Sequence, residues 1–126
     1  MDSPDDRRRY PRLSVDASYT VRFRAADKSF INVPMTDLSA GGVCLQVDSL
    51  EAEPLAKGTQ VSALYFEHPD LPRVPLQGQV TWMMGKVPGK VEGFVLVGVG
   101  FMSLNSKIEA VLASYVDQRL SKPEGP

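Results

Sequence analysis

Two stretches of this sequence carry residue types that could do chemistry together. The first is Arg7-Arg8-Arg9-Tyr10-Pro11-Arg12, with four guanidinium groups in six residues. A guanidinium is a planar fork of N–H donors that fits paired acceptors such as phosphate oxygens or the O6/N7 edge of guanine. The second is Asp37-Leu38-Ser39-Ala40-Gly41-Gly42, a turn with one acid, one hydroxyl and two glycines. A carboxylate such as Asp37 can accept from guanine's N1 and N2 donors, and Ser39 can donate or accept at a base edge or a phosphate. Gly41 and Gly42 lack a Cβ, so the backbone there can take φ > 0 and a ligand can come close. The pairing predicts a tail and a turn that close on one guanine nucleotide.

The elements around these stretches must bring them together. Residues 1–12 are polar and charged, and Pro11 pushes Tyr10 out of the α region, so they read as a flexible Arg-rich N-terminal arm. Asp2, Asp5 and Asp6 precede the arginines and keep the free arm from sticking to every anion. A period of two follows. It predicts strands over 15–24, 30–36, 43–48, 60–67, 74–83 and 94–102, with turns at 26–29, 37–42, 68–72 and 85–90. Pro34 suggests an edge or a bulge in the second strand. Val74, Leu76, Gly78, Val80 and Trp82 share one face if the alternation is unbroken. Gly98 and Gly100 allow curvature or close approach of a ligand in the last strand.

The period then changes to 3.6. Ile108, Val111, Leu112, Tyr115, Val116 and Leu120 recur at helical spacing, and Ser106 with Glu109 reads as a capping box. Six strands and one closing helix predict an all-β fold, a six-stranded antiparallel β-barrel with one C-terminal α-helix. The expected organisation is an arm over 1–12, a barrel plus helix over 13–120, and a disordered tail over 121–126.

Composition narrows the function classes. At 126 residues the chain has the usual size of one domain. A net charge of −1 argues against broad, sequence-blind nucleic-acid binding. Cys44 is the only cysteine, so no internal disulfide forms, and its apolar neighbours Val43 and Leu45 assign it a structural role. His68, the sole histidine, has no metal-ligating partner near it in sequence. One histidine and one cysteine far apart make a poor nucleophile–base pair, and the glycine turn lacks the Gly-Lys-Ser/Thr end of a P-loop. No catalytic residue and no cofactor is assigned. No secretory or membrane-spanning segment is read, which predicts a soluble, cytoplasmic protein without membrane insertion.

The sequence resembles the PilZ domain, a bacterial receptor module for cyclic di-GMP. Arg8-Arg9-Tyr10-Pro11-Arg12 fits that family's Arg-x-x-x-Arg motif, and Asp37-Leu38-Ser39-Ala40-Gly41-Gly42 fits its Asp/Asn-x-Ser-x-x-Gly motif. Gly78-x-Val80-x-Trp82 and Gly98-Val99-Gly100-Phe101 look like its later barrel strands. The resemblance implies that Arg8 and Arg12 are the motif arginines that clamp phosphate oxygens and a guanine edge. It implies that Asp37, Ser39, Gly41 and Gly42 form the facing corner. In some relatives an arginine directly before the motif accompanies a stacked ligand pair, and Arg7 holds that place here, with Arg9 flanking Arg8. Trp82 offers a stacking face and Gly98 a close approach as additional contacts, although the alternation favours Trp82 in the core.

The implied function is a cyclic di-GMP receptor, taking one molecule or a stacked pair, that reorders its arm and signals to an unidentified protein effector. The setting would be motility, pilus, biofilm or transcription control. Ordering about six arm residues costs on the order of 6–12 kcal/mol, so several charge-assisted contacts of roughly 1.5–3 kcal/mol each are needed. The alternatives are a ligand-independent protein-interaction module that docks through the C-terminal helix, and a single-stranded nucleic-acid-binding barrel. No specific nucleic acid is expected, given the net charge and the modest aromatic content.

Overall fold

The computed structural model describes residues 10–87, 89 and 91–121. Arg7, Arg8 and Arg9 of the expected arm, and the tail over 122–126, lie outside the described residues. The strands are β1 (Leu13–Ser14), β2 (Thr20–Ala25), β3 (Lys28–Leu38), β4 (Gly42–Asp48), β5 (Gln60–Phe66), β6 (Leu76–Met84) and β7 (Phe94–Met102). The helix α1 spans Ser106–Ser121. Strands β3-β2-β5-β6-β7-β4 pair in that order, and a β3–β4 pairing closes them into a six-stranded barrel. All the pairings are antiparallel, and β1 is an extra strand beside the end of β3, with Ser14 opposite Asp37. The expected barrel with one C-terminal helix is the observed fold.

Alternation works where no residue is inserted. In β2 Val21, Phe23 and Ala25 are buried while Arg22 and Arg24 are exposed, and in β4 Val43, Leu45 and Val47 point inward. The expected first strand over 15–24 is interrupted. Asp16 accepts from both the amide and the hydroxyl of Ser18 (2.8 and 2.5 Å), and this Asx turn separates β1 from β2. Ala26 and Asp27 both sit in the left-handed region (φ 51° and 59°), which makes a two-residue hairpin turn. Strand β3 therefore starts at Lys28, inside the stretch the sequence assigns to a turn.

Bulges change which side chains face the core. The register slips between Val61 and Leu64, where Ala63 has φ 49°, so that Val61, Leu64 and Phe66 all point inward. An unbroken alternation over 60–67 would have split these three between two faces. A second slip lies between Val80 and Trp82. An inserted residue reverses the sense of every side chain after it. Val80 stays in the core, Met83 packs against it, and Trp82 turns outward, which corrects its assignment to the core face.

Helix α1 lies on the barrel through Leu112 and Val116, both buried, with Ile108 and Tyr115 half-buried. Val111 and Leu120 are at helical spacing but exposed. The Tyr19 and Tyr115 hydroxyls meet at 2.5 Å, and Arg119 pairs with Asp70 at 2.9 Å, tying the helix to the barrel. The N-cap is Asn105, whose Oδ1 accepts from the Lys107 amide at 2.7 Å. The cap therefore lies one residue before the expected Ser106–Glu109 box, with Ile108 at the position that a box would need to be acidic, and the Glu109 carboxylate makes a different bond, described below.

Candidate functional site

The second stretch divides between a strand and a turn. Asp37 belongs to β3, not to the turn, and stands opposite Cys44 of β4. Cys44 stands opposite Gly98 of β7, and Gly98 opposite Trp82 of β6. Asp37, Cys44, Gly98 and Trp82 therefore form one lateral row across four strands. With neighbouring strands about 4.8 Å apart, the row is roughly 14 Å wide. An acid stands at one end, an indole at the other, and small side chains lie between. The outward β6 bulge is what brings both Thr81 and Trp82 to this face.

Ser39 builds the turn. Its Oγ accepts from the amides of Gly41 and Gly42, each at 3.1 Å, and its own amide donates to the Gly42 carbonyl at 2.9 Å. The hydroxyl donates to that same carbonyl at 3.3 Å. Gly41 and Gly42 do not use the left-handed backbone that the sequence reading allowed them; the glycines with positive φ are Gly58, Gly85, Gly89 and Gly93. Their absent side chains serve close approach instead. A Cβ on Gly41 would sit 2.5 Å from the Tyr10 ring, and one on Gly42 would run into the Val99 carbonyl. A Cβ on Gly98 would collide with the Trp82 indole, so the ring lies over bare backbone.

The root of the arm is held against this corner. The half-buried Tyr10 ring covers Gly41, and its hydroxyl donates to Glu109 of α1 at 2.6 Å. Arg12, two residues on, lines the same open cleft of about 380 Å³ as Asp37, Ser39, Gly41, Gly42, Trp82 and Gly98. The structure thus gathers every described candidate residue at one place. Burial raises the Asp37 carboxyl above its ordinary value, and the Arg12 guanidinium acts in the opposite sense. Burial also raises the Cys44 thiol, which leaves it a small neutral part of the floor.

The cleft can hold a flat, polar, anionic molecule. Arg12 offers donors to an anion, Asp37 offers acceptors to N–H groups, Trp82 offers a ring, and the glycines leave backbone within reach. Among the described residues no group of three or more His, Cys, Asp or Glu could hold a metal ion. Also among the described residues, no helix is long and apolar enough to cross a membrane. Sequence reasoning missed Tyr10 as the clamp of the arm, Thr81 as a cleft residue and Glu109 as the acceptor for Tyr10. Only the pairing of Tyr10 with the motif arginines signalled the first, and the Thr81 bulge left no sequence signal.

Comparison with known proteins places this geometry. Residues 6–118 match the PilZ domain family. Among solved structures, the chain is similar to the PilZ domain of YcgR from Escherichia coli with c-di-GMP, with a TM-score of 0.70, 20% identity, and 90% of this chain and 94% of that one covered. It is similar to the MrkH–c-di-GMP complex of K. pneumonia, with a TM-score of 0.71, 12% identity, and 90% and 52% covered. The inhibitor of motility MotI/DgrA from Bacillus subtilis gives a TM-score of 0.69 and 16% identity, over 98% of this chain and 58% of that one. The chain thus spans about half the length of MrkH, and at these identities the likeness is one of fold. No curated protein matches it. The family match over most of the sequence, on a closed barrel of the same fold, shows that this chain belongs to the PilZ domain family.

Proposed function

We propose that this chain is a cyclic di-GMP receptor and acts as an adaptor, binding the nucleotide without converting it. The observation that carries the reading is the cleft in which Arg12, Asp37 and Trp82 face one another across Cys44 and Gly98. The YcgR and MrkH structures, which hold c-di-GMP on this fold, support it. Asp37 accepts from guanine N1 and N2. Arg12 and Arg8 clamp phosphate oxygens and a guanine O6/N7 edge, and Trp82 stacks on a base. Arg7 and Arg9 supply the further charge that a stacked ligand pair needs. Ser39 acts by fixing Gly41 and Gly42, whose backbone meets the ligand.

In this reading the arm over residues 1–12 folds across the cleft when the nucleotide enters, pivoting at the Tyr10 clamp. Arm and nucleotide then form a surface for a protein effector in the cytoplasm. Calorimetric titration with cyclic di-GMP tests the proposal. The expected result is a saturable isotherm near micromolar affinity, about −8 kcal/mol. Arg8→Ala and Asp37→Ala should each abolish or strongly weaken the heat while thermal melts stay close to wild type. No heat at excess ligand rejects the reading.

A further inference from the structure

The wall opposite the cleft carries a second polar site. In the barrel ring the β2–β5 seam lies opposite the β4–β7 seam. On that far wall Arg22 of β2 stands opposite Tyr65 of β5, and its guanidinium carbon is 4.3 Å from the Tyr65 ring centroid. Glu67 accepts from the Thr20 hydroxyl at 3.2 Å and stands 3.8 Å from Arg22 Nε. Arg22, Tyr65, Glu67 and Arg73 line one cleft of about 410 Å³. Arg73 is exposed and makes no hydrogen bond or ion pair among the described residues. Arg24, next along the outward face of β2, adds a third positive charge to the wall.

We infer that this wall is a docking surface for an acidic segment of a partner protein. Three arginines against one glutamate leave the wall locally positive on a chain whose net charge is −1, a positive patch separate from the Arg7–Arg12 stretch. Arginine and tyrosine, with tryptophan, are enriched among the residues that dominate binding energy at protein interfaces. Stacking on Tyr65 holds Arg22 in place before a partner arrives, which lowers the ordering cost of binding. Arg73 has its whole fork free for a carboxylate. Glu67 sets the class of partner. It repels a continuous run of phosphates, whereas it can accept a backbone N–H from a peptide whose acidic side chains reach the arginines on either side. The inference does not depend on nucleotide binding at the other wall.

The test uses the full-length chain without cyclic di-GMP, labelled with ¹⁵N, and a hexaglutamate peptide blocked at both ends. The expected result is saturable amide shifts centred on Arg22, Tyr65, Glu67 and Arg73, weakened at least tenfold in Arg73→Glu and steeply by added salt. Arg73 is exposed on a loop, so that variant should keep the wild-type spectrum elsewhere. Inorganic phosphate and an oligothymidylate of matched charge are titrated in parallel. Equal or tighter binding of the oligothymidylate at this wall overturns the assignment in favour of a nucleic-acid surface. Equal shifts with phosphate overturn it in favour of a simple anion site. Shifts confined to Arg12 and the cleft, or no shifts, overturn it outright.

Discussion

Strands β4, β6 and β7 carry Gly42, Gly78, Gly98 and Gly100, while β2, β3 and β5 carry no glycine. The glycine-free wall is filled by large side chains on its inner face. Phe23 and Phe30 stack at 4.7 Å, and Phe66 meets Phe101 edge-on at 6.2 Å. The glycine-bearing wall brings backbones together. Gly78 lies against the Gly100 carbonyl, Gly42 against Val99, and Gly98 under Trp82. Both walls bury side chains, but the glycine-bearing one also exposes backbone and spaces a few candidate site residues around it. Glycine weakens a strand interior, so its presence on one wall alone marks where close approach was worth that cost.

The division predicts that stability and binding can be damaged separately. The largest effect is expected from Phe66→Ala on the packed wall. Phe66 is 1% exposed, and truncating a buried Phe costs about 3–5 kcal/mol. Chemical denaturation should show that loss, while the protein that remains folded binds nucleotide normally. Arg12→Ala on the open wall should do the reverse. Losing a charge-assisted contact of about 1.5–3 kcal/mol should weaken nucleotide affinity roughly tenfold or more, with an unchanged melting temperature. A large melting shift in Arg12→Ala, or a binding defect in folded Phe66→Ala, breaks the comparison.

Tyr10→Phe probes the hinge between the walls and the arm. It removes one hydroxyl bond to Glu109 and keeps the ring on Gly41. The expected loss is about 1 kcal/mol, read as a small drop in melting temperature and a faster amide exchange at Tyr10 and Arg12. Unchanged exchange there would show that the hydroxyl bond to Glu109 is not what holds the arm's root.

What was legible in the sequence follows the same line. The period of two in Val43–Val47 and Val95–Val99 located buried strands, because an uninterrupted strand obeys a simple rule. The helix over 106–121 was legible from its apolar spacing, though Asn105 took the cap from Ser106. Asp37, Ser39, Gly41 and Gly42 were named from residue types and from a motif, and they do line one cleft with Arg12. What the sequence hid were insertions. Ala63 and Thr81 are ordinary residues at bulges, and nothing in their types signals an extra position. Trp82 was therefore placed in the core, and Asp37 in a turn when the row of cross-strand neighbours through it needs it in a strand. Cys44 was correctly read as structural, but its place as floor between Asp37 and Gly98 depends on register, which single strands do not encode.

The smallest effect, and the finest test of the open wall, is the titration of Asp37. In the unfolded chain its carboxyl titrates near the ordinary 3.8; in the fold, burial raises it despite Arg12. Between the two values the native state holds more protons than the unfolded state, so stability falls as pH rises through that window. Asp37→Asn has no such proton to lose. The melting temperature of the variant relative to wild type should therefore climb as pH rises across the window and level off above it. Nucleotide affinity should move the other way, because only the ionised carboxylate accepts from both guanine donors without offering a proton in return. Wild-type binding should weaken on acidification through the raised value, while Asp37→Asn binds weakly and without that dependence. A free protein stabilised toward acid and a complex weakened by it would place one carboxylate in both roles. Affinity that stays flat while the stability difference changes would confine Asp37 to the architecture of the cleft.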